Sequence, residues 1–190
     1  MKPISRFAVP QLEDLPDDIR ERILSVQEKA GFIPNVFLAL SHRPDEFRAF
    51  FAYHDALMEK SEGLSKAERE MIVVATSGLN QCIYCVVSHG AILRIREKNT
   101  EISDQVATNY LKADISRRQR VMLDFASKVC DFSHEIEDED IQVLRDEGFC
   151  EDEIWDIGAI TGLFALSNRI ANMAAIRPNT EFYAMARADS

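Results

Sequence analysis

The chain has 190 residues and a net charge of −10, with 46% hydrophobic and 28% charged residues. This balance fits one globular domain whose core needs no disulfide to fold. The acidic charge argues against nucleic acid and anionic membranes as partners, because both select basic surfaces. The N-terminal sequence has no apolar signal-peptide core, and the longest apolar stretch, about 157–166, is too short to span a bilayer. We therefore expect a cytoplasmic protein.

Helix start and stop signals predict an all-α chain. Glycine and proline are sparse, at 7 and 6 residues, and strand-like alternation is absent. Ser65, followed three residues later by Glu68, is a capping-box signature. The predicted helices cover 17–30, 45–60, 66 to an interruption at 78–80, about 82–98, 102–112, 116–132, 138–147 and 151–174. Residues 65–71 resemble 116–122 as a possible internal repeat, although chance similarity between two helix starts explains this equally well.

The segment that carries chemistry is NQCIYCVVSH, residues 80–89. Cys82 and Cys85 are three residues apart, so on a helix they share one face and can form a disulfide with little movement. His89 lies one turn beyond Cys85. A helix N-terminus stabilises a thiolate, and a nearby histidine can take its proton. Thiolate attack followed by closure with a second thiol underlies both disulfide exchange and peroxide reduction through a sulfenic acid.

Other uses of this cysteine pair remain open from the residues alone. A zinc site needs about four ligands, and only the pair and His89 cluster in sequence. The remaining candidate ligands are Cys130, His134 and Cys150, which nothing fixes nearby. Haem attachment needs a histidine directly after the second cysteine, where the chain has Val86. The two cysteines could also be buried core thiols with only a structural role. The position of His89, one helical turn after Cys85, favours catalysis over that alternative. We expect no metal and no cofactor.

Glu70 is the next candidate, twelve residues before Cys82 on the preceding predicted helix. If the two helices fold back at 78–80, its carboxylate can reach His89 or Cys85. There it would orient the imidazole and accept protons, as an acid–base relay requires. The alternative is a solvated glutamate within the charged run 68–70, and spacing alone favours that alternative.

The spacing of Glu70, Cys82, Cys85 and His89 resembles the active-site pattern of the alkyl hydroperoxidase D-like (AhpD-like) proteins. These belong to the carboxymuconolactone decarboxylase superfamily. The segments GFIPNVF (31–37), NRIAN (168–172) and IRPN (176–179) are similar to its subgroup of uncharacterised peroxidase-related enzymes, and the likeness covers about residues 5–188. The resemblance implies an AhpD-like helical bundle, one domain over 1–190 with an N-terminal helical extension at about 1–60. It also implies a homo-trimer or homo-hexamer.

The resemblance further implies a peroxidase of the alkyl hydroperoxide reductase type. Cys85 would be the peroxidatic cysteine and Cys82 the resolving one, with His89 and Glu70 as a proton relay. A thiol donor of lipoyl or thioredoxin type would recycle the disulfide. The residues alone favour Cys82 as nucleophile, because an exposed cysteine at the helix N-terminus usually attacks; we follow the resemblance. Tyr84 stands where hydroperoxidase D has a second histidine.

Two other functions compete with the peroxidase. A decarboxylase-like lyase is the other activity of the superfamily, but such members generally do not depend on a cysteine pair. A non-enzymatic redox-sensing module would read oxidation as a disulfide.

The remaining polar residues have structural interpretations. His42 and His54 are expected to be structural and His134 exposed, and Asn168 and Arg169 are expected to cap helices or bridge between them. Cys130 and Cys150 are expected to be buried free thiols.

Overall fold

The computed structural model describes residues 3–187, within which every regular element is a helix. The α-helices are α1 (Asp17–Ala30), α2 (Asn35–Leu40), α3 (Pro44–Met58), α4 (Lys66–Leu79), α5 (Ile83–Glu97), α6 (Ile102–Asn109), α7 (Arg117–Phe132), α8 (Asp138–Asp146), α9 (Glu151–Ala174) and α10 (Thr180–Ala184). The all-α prediction is confirmed. The helix expected over 102–112 ends as α-helix at Asn109 and continues as a 3-10 turn over Tyr110–Lys112. No helix in the described range is long and apolar enough to cross a membrane.

Two serines cap the helices that begin at Lys66 and Arg117. Ser65 Oγ accepts a hydrogen bond from the Glu68 amide at 3.1 Å, and Glu68 Oε2 accepts one from the Ser65 amide at 2.8 Å. Ser116 and Gln119 repeat this arrangement at 3.2 and 2.8 Å. The capping box predicted at Ser65 is therefore confirmed, and reciprocal bonds of this kind satisfy amides that a helix start leaves unpaired.

Helix α4 is the centre of the main core and packs against α5, α6, α7 and α9. Every residue over 68–77 is buried. Apolar side chains of α9, namely Ile157, Ile160, Leu163 and Phe164, face this core. A helix buried on all sides needs partners for its polar side chains as well. Glu70, in the second turn of α4, is one of them.

The N-terminal helices have a smaller apolar cluster of their own. Its buried members are Leu15, Ile19, Ile23, Phe47 and Phe51. Val36 and Phe50 pack against both this cluster and the main core. Backbone hydrogen bonds from the Arg6 amide to Ala174 O (2.9 Å) and from the Arg177 amide to Ile4 O (3.0 Å) hold the N-terminal segment to the end of α9. The division into one domain with an extension over about 1–60 stays a prediction.

Just before the turn between α4 and α5, Gly78 brings α4 close to α6. A β-carbon placed on Gly78 would lie 2.7 Å from the backbone oxygen of Ala107 in α6. Real side chains do not approach a carbonyl so closely, so only glycine lets α4 and α6 pack at this distance.

Gly78→Ala is expected to lower the free energy of unfolding by about 1–2 kcal/mol, because overpacking outweighs the better helix propensity of alanine. Gly162→Ala is the matched control, since its β-carbon would meet no atom within 4 Å. This control should be neutral or stabilising by up to about 1 kcal/mol. Urea unfolding at equal protein concentration measures both variants. Equal stability of the two would contradict the packing argument.

Candidate active site

The turn between α4 and α5 places both cysteines at the start of α5. Gln81 takes a positive φ of 52°, and the Cys82 amide donates to Ser77 O at 2.9 Å. Cys82 is the N-cap residue of α5, and Cys85 lies in its first turn. The side chains are 0% and 2% exposed. The expectation that Cys82 is exposed is wrong, because the turn directs it into the core.

Glu70 and His89 meet across the α4–α5 hairpin. The Glu70 Oε2 to His89 Nδ1 distance is 2.7 Å, and the side chains are 10% and 14% exposed. The solvated glutamate that spacing alone favoured is therefore wrong. A carboxylate that accepts from Nδ1–H leaves Nε2 as the nitrogen free to exchange protons. The edge of Phe164 packs on the imidazole, with ring centroids 4.7 Å apart.

The two thiols differ in how easily they lose a proton. The neighbouring Cys85 side chain, foremost, and the backbone amides of Cys85 and Tyr84 lower the pKa of Cys82 to about 7. The neighbouring Cys82 sulfur, together with burial, raises the pKa of Cys85 well above its usual value. Cys82 is therefore the more acidic thiol of the pair.

Helix α9 supplies two polar side chains to this pair. Ser167 Oγ lies 3.7 Å from Cys85 Sγ. Asn168 is completely buried, and its side chain lowers the pKa of each thiol. Its hydrogen bonds run to Ser77 Oγ (2.9 Å) and from Asn80 Nδ2 (3.1 Å).

Of the two roles predicted for Asn168 and Arg169, a cap or a bridge between helices, Asn168 has the bridge and Arg169 bonds within α9, to Ala165 O. The effect of Asn168 on the thiols was missed. Ser167 was missed entirely. The polar pair Ser167–Asn168 directly after the apolar stretch 157–166 was the available signal.

The other two cysteines differ from the prediction. Cys150 is exposed as the N-cap residue of α9, so the expectation of a buried thiol is wrong for it. Cys130 is half-buried, and its sulfur accepts from Asn80 Nδ2 at 3.3 Å. Burial raises the pKa of Cys130 to about 11. A thiol with that pKa is almost wholly protonated near neutral pH and is a weak nucleophile.

His54 and Tyr84 border the site. His54, like His89, packs against Phe164, with ring centroids 6.3 Å apart. Burial first, then the charge of His89, lowers the pKa of His54. Tyr84 OH accepts a hydrogen bond from the Val36 amide at 3.1 Å, and burial raises its pKa. Tyr84, which lies between the two cysteines in the sequence, thus connects the start of α5 to α2. His134, by contrast, is 76% exposed as predicted.

The arrangement as a whole is a buried dithiol with a carboxylate–imidazole pair one turn away. Over residues 3–187, no three His, Cys, Asp or Glu side chains form a group that could hold a metal ion. The chemistry that these side chains offer is thiol–disulfide exchange with assisted proton transfer.

Comparison with known proteins identifies a matching family profile and two solved structures of similar sequence. Residues 44–123 match the profile of the Carboxymuconolactone decarboxylase family. The chain is 66% identical to an alkylhydroperoxidase AhpD core, uncharacterized peroxidase-related protein from Ralstonia eutropha JMP134, with a TM-score of 0.98 over 100% of both chains. It is 40% identical to an uncharacterized peroxidase-related protein from Silicibacter sp. TM1040, with a TM-score of 0.93 over 98% of this chain and 97% of that one.

A more distant structure shares the fold alone. The debrominase Bmp8 is 17% identical, with a TM-score of 0.75 over 96% of this chain and 95% of that one. No curated protein sequence is significantly similar to this chain.

Asn168→Ala is expected to raise the pKa of Cys82, because the buried Asn168 amide is one of the polar groups that lower it. Thiolate formation would then require higher pH. The pH dependence of Cys82 alkylation by iodoacetamide, followed by peptide mass spectrometry, measures the shift. Asn172→Ala is the control, because Asn172 is exposed and donates only to Asn80 O at 3.2 Å. An unchanged profile in Asn168→Ala would remove Asn168 from the thiolate site.

Proposed function

Because the chain belongs to the carboxymuconolactone decarboxylase superfamily, in its AhpD-like, peroxidase-related branch, we propose that it is a thiol-dependent peroxidase. It reduces hydroperoxides with Cys82 and Cys85 as the redox pair and Glu70 and His89 as the proton relay. The observation that supports this most is the 2.7 Å contact between Glu70 and His89, one helical turn from the buried dithiol. A purely structural cysteine pair has no use for such a relay.

In the first step Cys85 attacks the hydroperoxide. A bond forms between Cys85 Sγ and the terminal oxygen while the O–O bond breaks, which leaves a sulfenic acid on Cys85. As this bond forms, the Cys85 proton passes to the neighbouring Cys82 thiolate. The departing alkoxide takes a proton from Nε2 of protonated His89, which Glu70 orients, and becomes an alcohol. Cys82 therefore serves first as the internal base for Cys85.

In the second step Cys82 attacks the sulfenic sulfur. The S–S bond forms, and the hydroxyl group of Cys85 leaves with the Cys82 proton as water. Solvent returns one proton to His89. The cycle converts the dithiol monoanion, the hydroperoxide and one proton into a disulfide, an alcohol and water. A lipoyl or thioredoxin-type dithiol then restores the thiols by two exchanges and is itself oxidised to a disulfide.

The lowered pKa of Cys82 also argues against the decarboxylase-like alternative. Decarboxylation transfers no electrons to a thiol pair, so it needs neither a stabilised thiolate nor a resolving thiol. A redox-sensing module would use both, and catalytic turnover with a reducing donor separates the enzyme from the sensor.

We further propose that the protein is a homo-trimer or homo-hexamer. Trp155, Leu166 and Met173 on α9 are 75%, 52% and 56% exposed in the single chain. Apolar side chains of this size on one helix are suited to burial against another subunit.

Light scattering should give three or six times the chain mass of 21.6 kDa. A monomeric mass at micromolar concentration would refute this assembly.

The roles proposed for the two cysteines predict that Cys85→Ser and Cys82→Ser stop the reaction at different steps. Cys85→Ser should abolish peroxide reduction, because the attacking sulfur is lost. Cys82→Ser should permit one oxidation of Cys85, more slowly without its internal base, and then stop at a sulfenic acid or mixed disulfide. Oxidised wild-type protein should contain the Cys82–Cys85 disulfide. Mass spectrometry after single-turnover oxidation measures all three, with Cys150→Ser as the control. First oxidation in Cys85→Ser but not in Cys82→Ser would reverse the assignment.

Glu70→Gln and His89→Ala should each slow the first oxidation by about 10²-fold, the scale of general acid–base assistance. The double variant should be little slower than either single one if the two side chains act as one relay. Stopped-flow oxidation kinetics measure these rates. Glu135→Gln and His134→Ala, both exposed and away from the site, are matched controls that should leave the rate unchanged. An unaffected rate in Glu70→Gln would contradict the relay.

A further inference from the structure

A second histidine lies beside the proposed proton relay. His54, in α3, packs against the ring of Phe164 with centroids 6.3 Å apart, and His89 packs against the same ring at 4.7 Å. The side chain of His54 is 23% exposed and that of His89 is 14% exposed. Both histidines therefore border one phenyl ring, and His54 is the one more open to solvent.

Each imidazole has a carboxylate at the same ring nitrogen. Nδ1 of His54 donates to Asp55 Oδ1 at 3.2 Å. Nδ1 of His89 donates to Glu70 Oε2 at 2.7 Å. Asp55 is itself held by Arg22, whose guanidinium donates to both carboxylate oxygens at 2.8 and 3.0 Å. The carboxylates select the tautomer, so each histidine keeps Nε2 for proton exchange.

The charges around the two rings disfavour a proton on both at once. Burial, followed by the positive charge of His89, lowers the pKa of His54, and two carboxylates act in the opposite direction. The charged side chains around His54 come from α1, α3, α4 and α5, and they are Arg22, Asp55, Glu70 and His89. Helix α9 meets His54 with the apolar Phe164. His54 is therefore mostly neutral near neutral pH while His89 carries a proton.

We propose that His54 is the group through which solvent protons return to His89 after each oxidation. The inference rests on the proposed peroxidase function. When protonated His89 gives its proton to the departing alkoxide, its positive charge is lost, and with it the repulsion that keeps His54 neutral. His54 then binds a proton from solvent at Nε2 and passes it through water to Nε2 of His89.

This path leaves the balance of the cycle unchanged. One proton enters from solvent, restores His89 and replaces the one that left with the alcohol, while His54 ends neutral as it began. Because His54 acts through His89 and touches neither the peroxide nor the sulfurs, it is a positioning residue for the proton of the relay.

The first test separates the return of the proton from the oxidation itself. His54→Asn removes the titrating ring and keeps an amide that can bond to Asp55. The first oxidation of Cys85 should change less than about twofold, because His89 still holds its proton at the start. Steady-state turnover at saturating dithiol donor should fall about tenfold, since water alone then supplies the proton. Added imidazole buffer should restore most of that loss and should not affect wild type, because a dissolved acid replaces the missing one.

His42→Asn is the matched control. Nδ1 of His42 donates to the backbone oxygen of Ala39 at 2.8 Å, which an asparagine amide can also do. This variant should change neither the turnover nor its dependence on buffer. Unchanged turnover in His54→Asn, or a loss that imidazole does not restore, would overturn the proton path.

A second test does not depend on peroxidase activity. The ring-carbon NMR signal of His54 is followed against pH, with exposed His134 as the internal reference. In His89→Asn the pKa of His54 should rise, because the charge that lowers it is gone. In Glu70→Gln it should fall, because that carboxylate raises it. Shifts in the same direction, or none, would overturn the coupling, since a general disturbance of the fold does not produce opposite signs.

The two tests distinguish failure of the inference from failure of the proposed function. If no hydroperoxide is reduced but the opposite NMR shifts are found, the peroxidase proposal fails and the two histidines remain a coupled pair. If hydroperoxides are reduced and the shifts are absent, the role of His54 fails and the peroxidase stands.

Discussion

The hydrogen bond between Glu70 and His89 is the constraint on which the site depends. A carboxylate surrounded by apolar side chains has a large desolvation cost unless a charged or hydrogen-bonding partner compensates it. The two residues belong to different helices, so the α4–α5 hairpin must close with His89 opposite Glu70. The same closure buries both cysteines at the start of α5. The relay and the dithiol therefore depend on the same packing of α4 against α5. A shift of either helix along the other would disrupt both.

Helix α9 also contributes polar side chains to the surroundings of the thiols. Asn168 lowers the pKa of both thiols while it is held by Ser77 and Asn80. A buried amide with fixed partners cannot rotate away from the sulfurs, so it contributes a preorganised dipole where negative charge develops. The backbone amides of Tyr84 and Cys85 at the start of α5 lower the pKa of Cys82 as well. Helices α5 and α9 thus both favour the thiolate of Cys82.

Much of the fold and half of the site geometry could be predicted from the sequence. Capping serines, acidic first turns and glycine stops gave helix limits close to those observed, and the family resemblance is confirmed. The motif residues were identified because helical spacing relates residues on one helix. Glu70 was uncertain from spacing because its environment depends on packing between α4 and α5. Ser167, the contact of Asn168 with the thiols, and the exposure of Cys150 all depend on where α9 lies, and no local pattern specifies that.

Tyr84 adds a mechanical connection to this arrangement. Its hydroxyl holds the backbone of Val36, and it stands between the two cysteines in the chain. Closing or opening the disulfide acts on the backbone segment that carries this side chain, so the hydrogen bond to Val36 couples α2 to the redox pair. By thermodynamic reciprocity, any ligand that tightens or loosens α2 also shifts the balance between dithiol and disulfide by the same free energy. The reduction potential is in that sense a property of α2 as well as of the two sulfurs.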